Sequence, residues 1–306
     1  MILPVLKTPE YLSPTSFMEF EKCGMKFYLK RMSGQIYIKD IQSLPAAIGS
    51  AFDAIASWEI AKCLGLENDP EMQLQHLINN SVDETLRGEA VPHAQRLFDS
   101  YKSMGCFSRL MDAGVTDIHP ATKKIVHDNL GNEVSLYGKP DVFLHDGTPV
   151  EFKINGATSK TGQSPCQGYK MAYFSNGQIK SHERWKEPLE NLNEEWAIQL
   201  FIYNMMHSGL LPFRDYKYRL EQGAIRPTNH AFATFQGVIS EEFARRTWTK
   251  LYNNWKRILA GDIPDANVSK TTCHSYNQLC EVAEICTSYQ EIRNSPMGDM
   301  ILGDAK

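Results

Sequence analysis

The sequence predicts an α/β fold in which a central mixed sheet is flanked by helices and preceded by a helical cap. Three observations support this prediction: helical patterns dominate before residue 121, a β-hairpin pattern occupies residues 142–154, and later segments alternate between helix and strand. The 306 residues include 42% hydrophobic side chains, enough for a sizeable core. Length alone suggests about two domains, but single elaborated α/β domains also reach this size.

The helical cap is predicted to begin at Ser13. This serine is placed to cap a helix because Pro14 follows it at the first helical position, and the helix is expected to run to about Arg31. Further helices are predicted near residues 47–64, 71–88 and 91–104. The cap therefore extends to about residue 120, and the sheet is expected to begin near residue 121.

The sheet is predicted from two long strand patterns near 121–128 and 133–144 and from a hairpin. In the hairpin, Val142 to Leu144 form one strand, His145 to Gly147 form the turn, and Thr148 to Ile154 form the return strand. The elements after the hairpin are predicted in the order helix, strand, strand and helix, near 191–208, 214–221, 229–238 and 240–260.

Composition favours a cytoplasmic globular protein. No apolar run approaches the ~20 residues of a membrane span, and Met1 to Pro9 lacks a signal-peptide core. Seven cysteines, an odd number without a secretion signal, favour a reducing compartment over a disulfide framework. The net charge is −4, from 32 basic and 36 acidic residues, so any contact with nucleic acid must be local.

Two carboxylates and a lysine lie around the predicted hairpin. Asp141 ends the segment Gly138-Lys139-Pro140-Asp141, and Glu151 and Lys153 fall in the return strand. Strand alternation places Glu151 and Lys153 on one face of the sheet and Phe152 on the other. The three charged groups can converge on one phosphate, as in a nuclease metal site. Taken alone the spacing is a weak signal, because acids and lysines on adjacent strands usually form solvated ion pairs.

Two predicted helices add further motifs. Gln199 and Tyr203 are one turn apart and project from the same helix face. Gly49 and Asp53 open an earlier helical run. The chain thus carries Gly-x3-Asp, Gly-x2-Asp, Glu-x-Lys and Gln-x3-Tyr in that order. Together these motifs resemble those of the RecB-like branch of the PD-(D/E)XK nuclease superfamily, in which the first motif is Gly-x3-His.

This resemblance implies a restriction-endonuclease-like fold and a metal-dependent DNA nuclease. It implies that Asp53, Asp141 and Glu151 hold one or two Mg²⁺ or Mn²⁺ ions, with the backbone carbonyl of Phe152 as a further ligand. Asp53 replaces the usual histidine, but a carboxylate is still an oxygen donor suited to these metals. The alternative interpretation of Asp53 is an exposed helix acid.

Phosphodiester hydrolysis requires an activated water and an offset for the negative charge that grows on phosphorus. Lys153 is expected to orient or help deprotonate that water and to offset the charge. By resemblance, Gln199 and Tyr203 position the phosphate backbone. The expected activity is that of an exonuclease acting on single-stranded or resected DNA ends in recombination, repair or replication, in a cell or a virus. The alternatives are a restriction or defence endonuclease and a non-catalytic nucleic-acid-binding scaffold.

Four cysteines form a second pattern. Cys23 lies in the first predicted helix, and Cys273, Cys280 and Cys286 follow near the C-terminus as Cys-x6-Cys-x5-Cys. The pattern resembles the iron-sulfur clasp of the CRISPR adaptation nuclease, which carries Cys-x2-Cys-x5-Cys. The resemblance implies a 4Fe-4S cluster that ties the two ends of the chain together. Zinc, or four reduced cysteines without a ligand, are the alternatives.

Two segments are candidates for DNA contact. Basic residues recur along the first predicted helix, at Lys22, Lys26, Lys30 and Arg31, although they could equally form a solvated face. Residues 155–190 form a long insertion with interleaved cations and aromatics, suited to a single strand unless it is merely a mobile loop.

The expected organisation is one integrated domain with three parts. Residues 1–120 form a helical region with the first clasp cysteine, and residues 121–262 form a nuclease core with the insertion. Residues 263–306 form a cysteine-bearing tail. A helicase or a single-strand annealing protein is a candidate partner for an exonuclease of this kind.

Overall fold

The computed structural model describes residues 5, 7–34, 42–119, 121–155, 194–208, 211, 213–224, 231–275 and 278–302. Within these ranges the predicted fold class is confirmed, because a five-stranded mixed sheet is flanked by helices. The helices are α1 (Pro14–Lys22), α2 (Gly24–Arg31), α3 (Leu44–Cys63), α4 (Leu74–Ser81), α5 (Glu84–Ser103), α6 (Cys106–Asp112), α7 (Glu194–Ser208), α8 (Glu241–Leu259), α9 (Lys270–Cys273), α10 (Thr287–Arg293) and α11 (Gly298–Leu302).

The strands form three sheets. They are β1 (Val115–Ile118), β2 (Thr122–His127), β3 (Glu133–Gly138), β4 (Val142–Leu144), β5 (Pro149–Asn155), β6 (Tyr216–Ala224), β7 (Ala231–Ile239), β8 (His274–Ser275) and β9 (Gln278–Leu279). The central sheet has the order β1-β4-β5-β6-β7, in which β5 and β6 are parallel and the other neighbours antiparallel. Strands β2 and β3, and strands β8 and β9, pair separately.

Alternation along β5 divides its side chains between two hydrophobic layers. Val150 and Phe152 are buried in the layer that includes α3 and α5. Glu151 and Lys153 point to the opposite face, where they contact α7. Helix α7 belongs to the second layer, together with α1, α2 and α8. Burial of apolar surface on both faces thus holds α3 and α7 against the same strand.

The predicted hairpin is confirmed in its two strands and its turn. Val142 pairs with Val150, and Phe143 pairs with Pro149. Asp146 closes the turn by accepting a hydrogen bond from the Thr148 backbone N–H at 3.1 Å. Short-range turn chemistry therefore specifies this part of the sheet.

The predicted first helix is wrong in its length, because it breaks at Cys23. This residue has an extended backbone, with φ −159° and ψ 100°, and it separates α1 from α2. A Cβ on Gly24 would lie 2.5 Å from the Pro264 Cδ atom. The break and the glycine allow the C-terminal part of the chain to pack directly against the N-terminal helices.

The predicted start of the sheet near residue 121 is also wrong, since β1 already pairs with β4. The long strand predicted over 133–144 is divided between two sheets, because β3 ends before Pro140 and β4 begins after it. Proline has no backbone N–H and cannot continue a strand ladder here.

The helices of the cap divide differently from the prediction. Helix α5 begins at Glu84 and continues through Pro92, the proline near which the sequence pattern predicted a new start. Its buried residues Ala90, Ala94 and Leu97 belong to the layer that contains α3. Tertiary packing therefore maintains a helix that local propensity would interrupt.

Except for its first residue, the predicted insertion lies outside the described residues. The same is true of residues 191–193, at the start of a predicted helix, and of residues 229 and 230, at the start of a predicted strand. No helix in the described part of the chain is long and apolar enough to cross a membrane.

The contact between Gly24 and Pro264 predicts a selective loss of stability. Gly24→Ala should lower the free energy of unfolding by about 1–3 kcal/mol, since the new methyl group meets a rigid ring. Gly88→Ala is the matched control: Gly88 lies in α5 with open space around it, and alanine should stabilise that helix by up to ~1 kcal/mol. Urea denaturation of both variants measures the difference, and equal effects would contradict the close packing of the two ends.

Candidate active site

Glu151, Lys153, Gln199 and Tyr203 form a continuous hydrogen-bonded chain between β5 and α7. Lys153 Nζ donates to Glu151 Oε1 at 2.6 Å and to Gln199 Oε1 at 3.0 Å. Gln199 Nε2 donates to Glu151 Oε1 at 2.7 Å and to the Tyr203 hydroxyl at 2.8 Å. A spacing of two residues on a strand and of one turn on a helix thus brings four side chains together.

Asp141 is held beside this chain by the backbone of β5. Its Oδ2 accepts a hydrogen bond from the Phe152 N–H at 2.7 Å. The chain before Asp141 lies close to α7: a Cβ on Gly138 would be 2.8 Å from Met206 Sδ and 2.9 Å from Tyr203 Cε1. Glycine at position 138 therefore leaves room for α7, which gives the Gly-x2-Asp motif a physical explanation.

Asp53 approaches the same site from α3. Burial raises the pKa of Asp53 to about 8, and the Glu151 charge raises it too, against the opposing effect of Lys153 and Lys139. Burial also raises the pKa of Asp141 well above its usual value, with further increases from Glu151 and Asp53. The three carboxylates are thus close enough to disfavour one another's ionisation.

Lys153 offsets part of this repulsion. Burial acts to lower the pKa of Lys153, but its hydrogen bond and ion pair with Glu151 outweigh that effect and raise the pKa above its usual value. The side chain is therefore an ammonium ion at neutral pH. It is 20% exposed, so it remains accessible to a molecule that enters the site.

Two carboxylate oxygens of the site lack partners. Asp53 Oδ1 and Glu151 Oε2 are buried and accept no hydrogen bond within the described part of the structure. Buried anionic oxygens without donors are costly, and oxygen donors are the ligands that Mg²⁺ and Mn²⁺ prefer. The donor set therefore fits such an ion, although among the described side chains no three His, Cys, Asp or Glu groups are already gathered closely enough to hold one.

Two residues near Asp53 have no counterpart among the sequence motifs. Ser57, one turn further along α3, is within 3.0 Å of His119 Nε2. The His119 backbone N–H donates to the Asp141 carbonyl at 2.9 Å. Burial lowers the pKa of His119 to about 4, so its imidazole is neutral at physiological pH. Ser57 is one helical turn from Asp53, a spacing that could have indicated it, whereas His119 is far from Asp53 in the sequence and only the fold reveals it.

A cavity of about 450 Å³ opens beside these groups. Its lining includes Asp53, Asp141, His119 and Lys139, together with residues of α4. Of the predicted site residues, Asp53 and Asp141 therefore border a space large enough for part of a nucleotide chain.

The four cysteines of the predicted clasp lie in one region, although no three of them are close enough in the described structure to hold a metal ion. Burial raises the pKa of the Cys273 thiol, and a hydrogen bond with the Ser269 backbone acts in the opposite direction. The neighbouring thiols of Cys280, Cys23 and Cys286 raise this pKa further. Cys23, Cys273 and Cys286 are buried, and Cys280 is half-buried. Cys23 lies at the break between α1 and α2. We call the region that contains Cys23, Cys273, Cys280 and Cys286 the cysteine junction.

The expected basic stripe on the first helix is not a free cationic surface. Lys30 Nζ lies 2.9 Å from carboxylate oxygens of both Glu19 and Glu281, and Arg31 pairs with Glu19 at 3.0 Å. Lys26 is within 3.9 Å of the Glu19 carboxylate. Much of the positive charge is thus neutralised by acids, one of which lies in the C-terminal cysteine segment.

The fold is a mixed α/β sheet with two acids and a lysine on adjacent strands. An early helix adds an acid, and a later helix adds a Gln-Tyr pair. This combination defines a class of metal-dependent nucleases. A family model described as the PD-(D/E)XK nuclease superfamily matches residues 11–287. The chain belongs to the PD-(D/E)XK nuclease superfamily, which confirms the superfamily part of the resemblance and indicates a hydrolase that acts on nucleic acid.

One solved structure, titled "Crystal structure of SSO0001", aligns with 90% of this chain and 96% of its own, at 9% identity and a TM-score of 0.32. A similarity at this level adds nothing to the assignment. Comparison of the sequence with curated proteins found no match.

The raised pKa of Asp53 predicts how stability depends on pH in the metal-free protein. Between its unfolded value of 3.8 and about 8, Asp53 holds a proton when folded and loses it on unfolding, so stability falls as the pH rises through this window. Asp53→Asn should therefore flatten the decrease between about pH 5 and 8 in denaturation curves recorded with EDTA.

Asp146→Asn is the matched control for this experiment. The Asp146 pKa is lowered to about 2, chiefly by the hydrogen bond with Thr148. The stability that ionised Asp146 contributes is therefore lost only in more acidic solution. The control should change stability by the same amount at every pH above about 5. A slope that is unaltered in Asp53→Asn would contradict the buried, protonated state of Asp53.

Proposed function

We propose that this protein is a metal-dependent deoxyribonuclease, and specifically an exonuclease that acts on single-stranded or resected DNA ends in recombination, repair or replication. One observation carries the nuclease part: acids from α3, from the start of β4 and from β5 meet the Lys153 ammonium beside a cavity. Two of their buried carboxylate oxygens have no hydrogen-bond partner among the described residues. Superfamily membership supports the same reaction.

Asp53, Asp141 and Glu151 would hold Mg²⁺ or Mn²⁺, with the Phe152 backbone carbonyl as a further ligand. Such an ion, when bound, supplies an activated water and an electrostatic offset for charge on the phosphate. The Phe152 N–H already fixes Asp141, and the Phe152 ring packs in the apolar layer against Phe52 at 5.8 Å between ring centroids. The acids are therefore anchored by groups that do not need to move when an ion binds.

Lys153 is the group that acts on the reacting atoms. Its ammonium donates to Glu151 and Gln199, and its side chain is partly exposed. From this position it would orient the attacking water or hold the phosphate oxygen on which charge develops. A fixed ammonium in a largely desolvated site is more effective there than in water.

Gln199 and Tyr203 would position the phosphate backbone. Gln199 connects Lys153, Glu151 and Tyr203, so a phosphate that displaces one of its hydrogen bonds is aligned with the acids. Both residues project from α7, and the apolar side of this helix is buried beneath the sheet. A rigid support of this kind keeps the contacts at a fixed distance from the lysine.

The preference for DNA ends rests on the resemblance to nucleases with an iron-sulfur clasp. The runner-up is an endonuclease of the restriction or defence type, which would cut circular DNA as well as linear DNA. A non-catalytic scaffold is a third possibility, but it would need neither the ionised lysine nor the unpartnered acids.

The decisive assay uses labelled DNA in linear and circular forms, with Mg²⁺ or Mn²⁺. Release of short products from linear single strands alone supports an exonuclease, whereas linearisation of circles supports an endonuclease. Cleavage in the presence of excess EDTA would contradict metal dependence. Binding without cleavage under all metal conditions would support the scaffold.

Within this assay, Lys153→Ala should reduce cleavage by ~100-fold or more while metal and DNA binding persist, because a group that stabilises the transition state is removed. Lys62→Ala is the control: this lysine is on the same helix as Asp53 but pairs with Glu59 on the outer surface, 2.6 Å away. Undiminished cleavage by the Lys153 variant would remove this residue from the mechanism.

The cysteine junction would hold a 4Fe-4S cluster, with Cys23, Cys273, Cys280 and Cys286 as ligands. Burial raises the pKa of the Cys273 and Cys286 thiols, and neighbouring thiols raise it further. Four thiols in one region form a soft donor set, suited to iron-sulfur clusters and to zinc. A cluster is larger than a single ion and accepts ligands that stand further apart. A reducing cytoplasm would keep these thiols available for assembly.

Protein purified without oxygen should be brown, with a broad visible absorbance that disappears on exposure to air or in Cys286→Ser. Cys63→Ser, at an exposed cysteine outside the junction, should keep the colour. A colourless preparation with one zinc per chain would replace the cluster by zinc, and one without either metal would leave four ordinary thiols.

A further inference from the structure

His119 occupies an unusual backbone conformation beside the proposed acids. Its φ is +46°, in the left-handed region that L-residues other than glycine adopt infrequently, although histidine is among the enriched exceptions. Two contacts hold it there: its backbone N–H donates to the Asp141 carbonyl, and its ring contacts Ser57. Strained conformations that are held from two sides are concentrated at functional sites.

The hydrogen bonds of Ser57 determine which ring nitrogen of His119 carries the proton. Ser57 Oγ lies 2.6 Å from the Asp53 backbone carbonyl, which can only accept, so the single hydroxyl hydrogen is committed to that bond. The serine oxygen must then accept from His119 Nε2–H, at 3.0 Å. The neutral imidazole is therefore the Nε2–H tautomer, and its Nδ1 carries a lone pair.

That lone pair has no partner. His119 Nδ1 is buried and, like Asp53 Oδ1, makes no hydrogen bond within the described part of the structure. The two residues line the same cavity, and Ser57 connects the His119 ring to the Asp53 backbone through one turn of α3. Two buried acceptors that receive no hydrogen bond within the described residues therefore border the same space.

We propose that His119 Nδ1 is a nitrogen ligand to the divalent cation of this site, next to Asp53, and that Ser57 fixes the ring in the tautomer that binds it. A cation is the kind of group that satisfies two neighbouring acceptors at once, whereas a hydrogen-bond donor from the protein is lacking among the described residues. Metal-binding histidines characteristically donate their other ring N–H to a fixed acceptor, as His119 does here.

This ligand has a consequence for metal choice. Mg²⁺ favours oxygen donors almost exclusively, while imidazole nitrogen suits transition metals better. A mixed site of carboxylates and one imidazole should therefore bind Mn²⁺ more tightly than Mg²⁺. The inference rests on the proposed metal dependence of the enzyme, but it concerns the identity of one ligand and can be tested by binding alone.

The direct test is electron spin-echo envelope modulation of the full-length protein loaded with one equivalent of Mn²⁺. A coordinated imidazole gives modulation from its ¹⁴N nucleus, and this signal should be present in the wild type and absent in His119→Gln. His127→Gln, at an exposed histidine on β2 outside the cavity, should keep the signal. A wild-type spectrum without coordinated nitrogen overturns the assignment whatever the variants do.

Calorimetry on the same proteins provides the second readout. His119→Gln should lower the Mn²⁺ affinity by ~10-fold or more and the Mg²⁺ affinity by less, which reduces the preference for Mn²⁺. Ser57→Ala should lower Mn²⁺ affinity by ~10-fold, since the ring loses the acceptor that fixes its tautomer. Equal losses for both metals would indicate a merely structural role for His119 and overturn the proposal.

The outcome separates this inference from the proposed function. A protein that binds no divalent cation and cleaves in EDTA contradicts both. A protein that binds Mn²⁺ and cleaves DNA, but shows neither nitrogen coupling nor a change of metal preference in His119→Gln, retains the proposed function and loses the histidine ligand.

Discussion

The arrangement depends above all on the electrostatic balance among the buried carboxylates of Asp53, Asp141 and Glu151. Acids that share a desolvated site cannot all ionise without an offsetting charge. Lys153 supplies one such charge, and through Gln199 it also joins β5 to α7. Within the described residues, the balance leaves two buried acceptor oxygens without hydrogen-bond partners. The same deficit suits the site to a divalent cation, which offsets the charge and satisfies the oxygens together.

The two hydrophobic layers determine where these groups meet. Phe152 anchors β5 in the layer of α3, while the neighbouring Glu151 and Lys153 face α7 in the other layer. Because β4 is short and begins after Pro140, Asp141 lies at its start, where the acid from α3 can approach. The site is thus positioned by packing on both faces of one strand, and its geometry is only as rigid as that packing.

The two ends of the chain contribute to the same layer. Gly24 packs against Pro264, Lys30 pairs with Glu281, and the cysteines of the predicted clasp pack in the same apolar cluster. This junction shares a continuous apolar cluster with α7, which carries Gln199 and Tyr203. The cysteine segment and the helix that borders the candidate active site therefore belong to one packed layer.

Local patterns in the sequence determined the fold class, the hairpin of β4 and β5, and the pairing of Gln199 with Tyr203, because strand alternation, turn residues and helical spacing act over a few residues. Only the tertiary structure decided the break at Cys23, the neutralised lysines of the first helices, and the place of His119 beside Asp53. Each of these depends on contacts between segments far apart in the chain, and such contacts leave no periodic or spaced signal in the residues that make them.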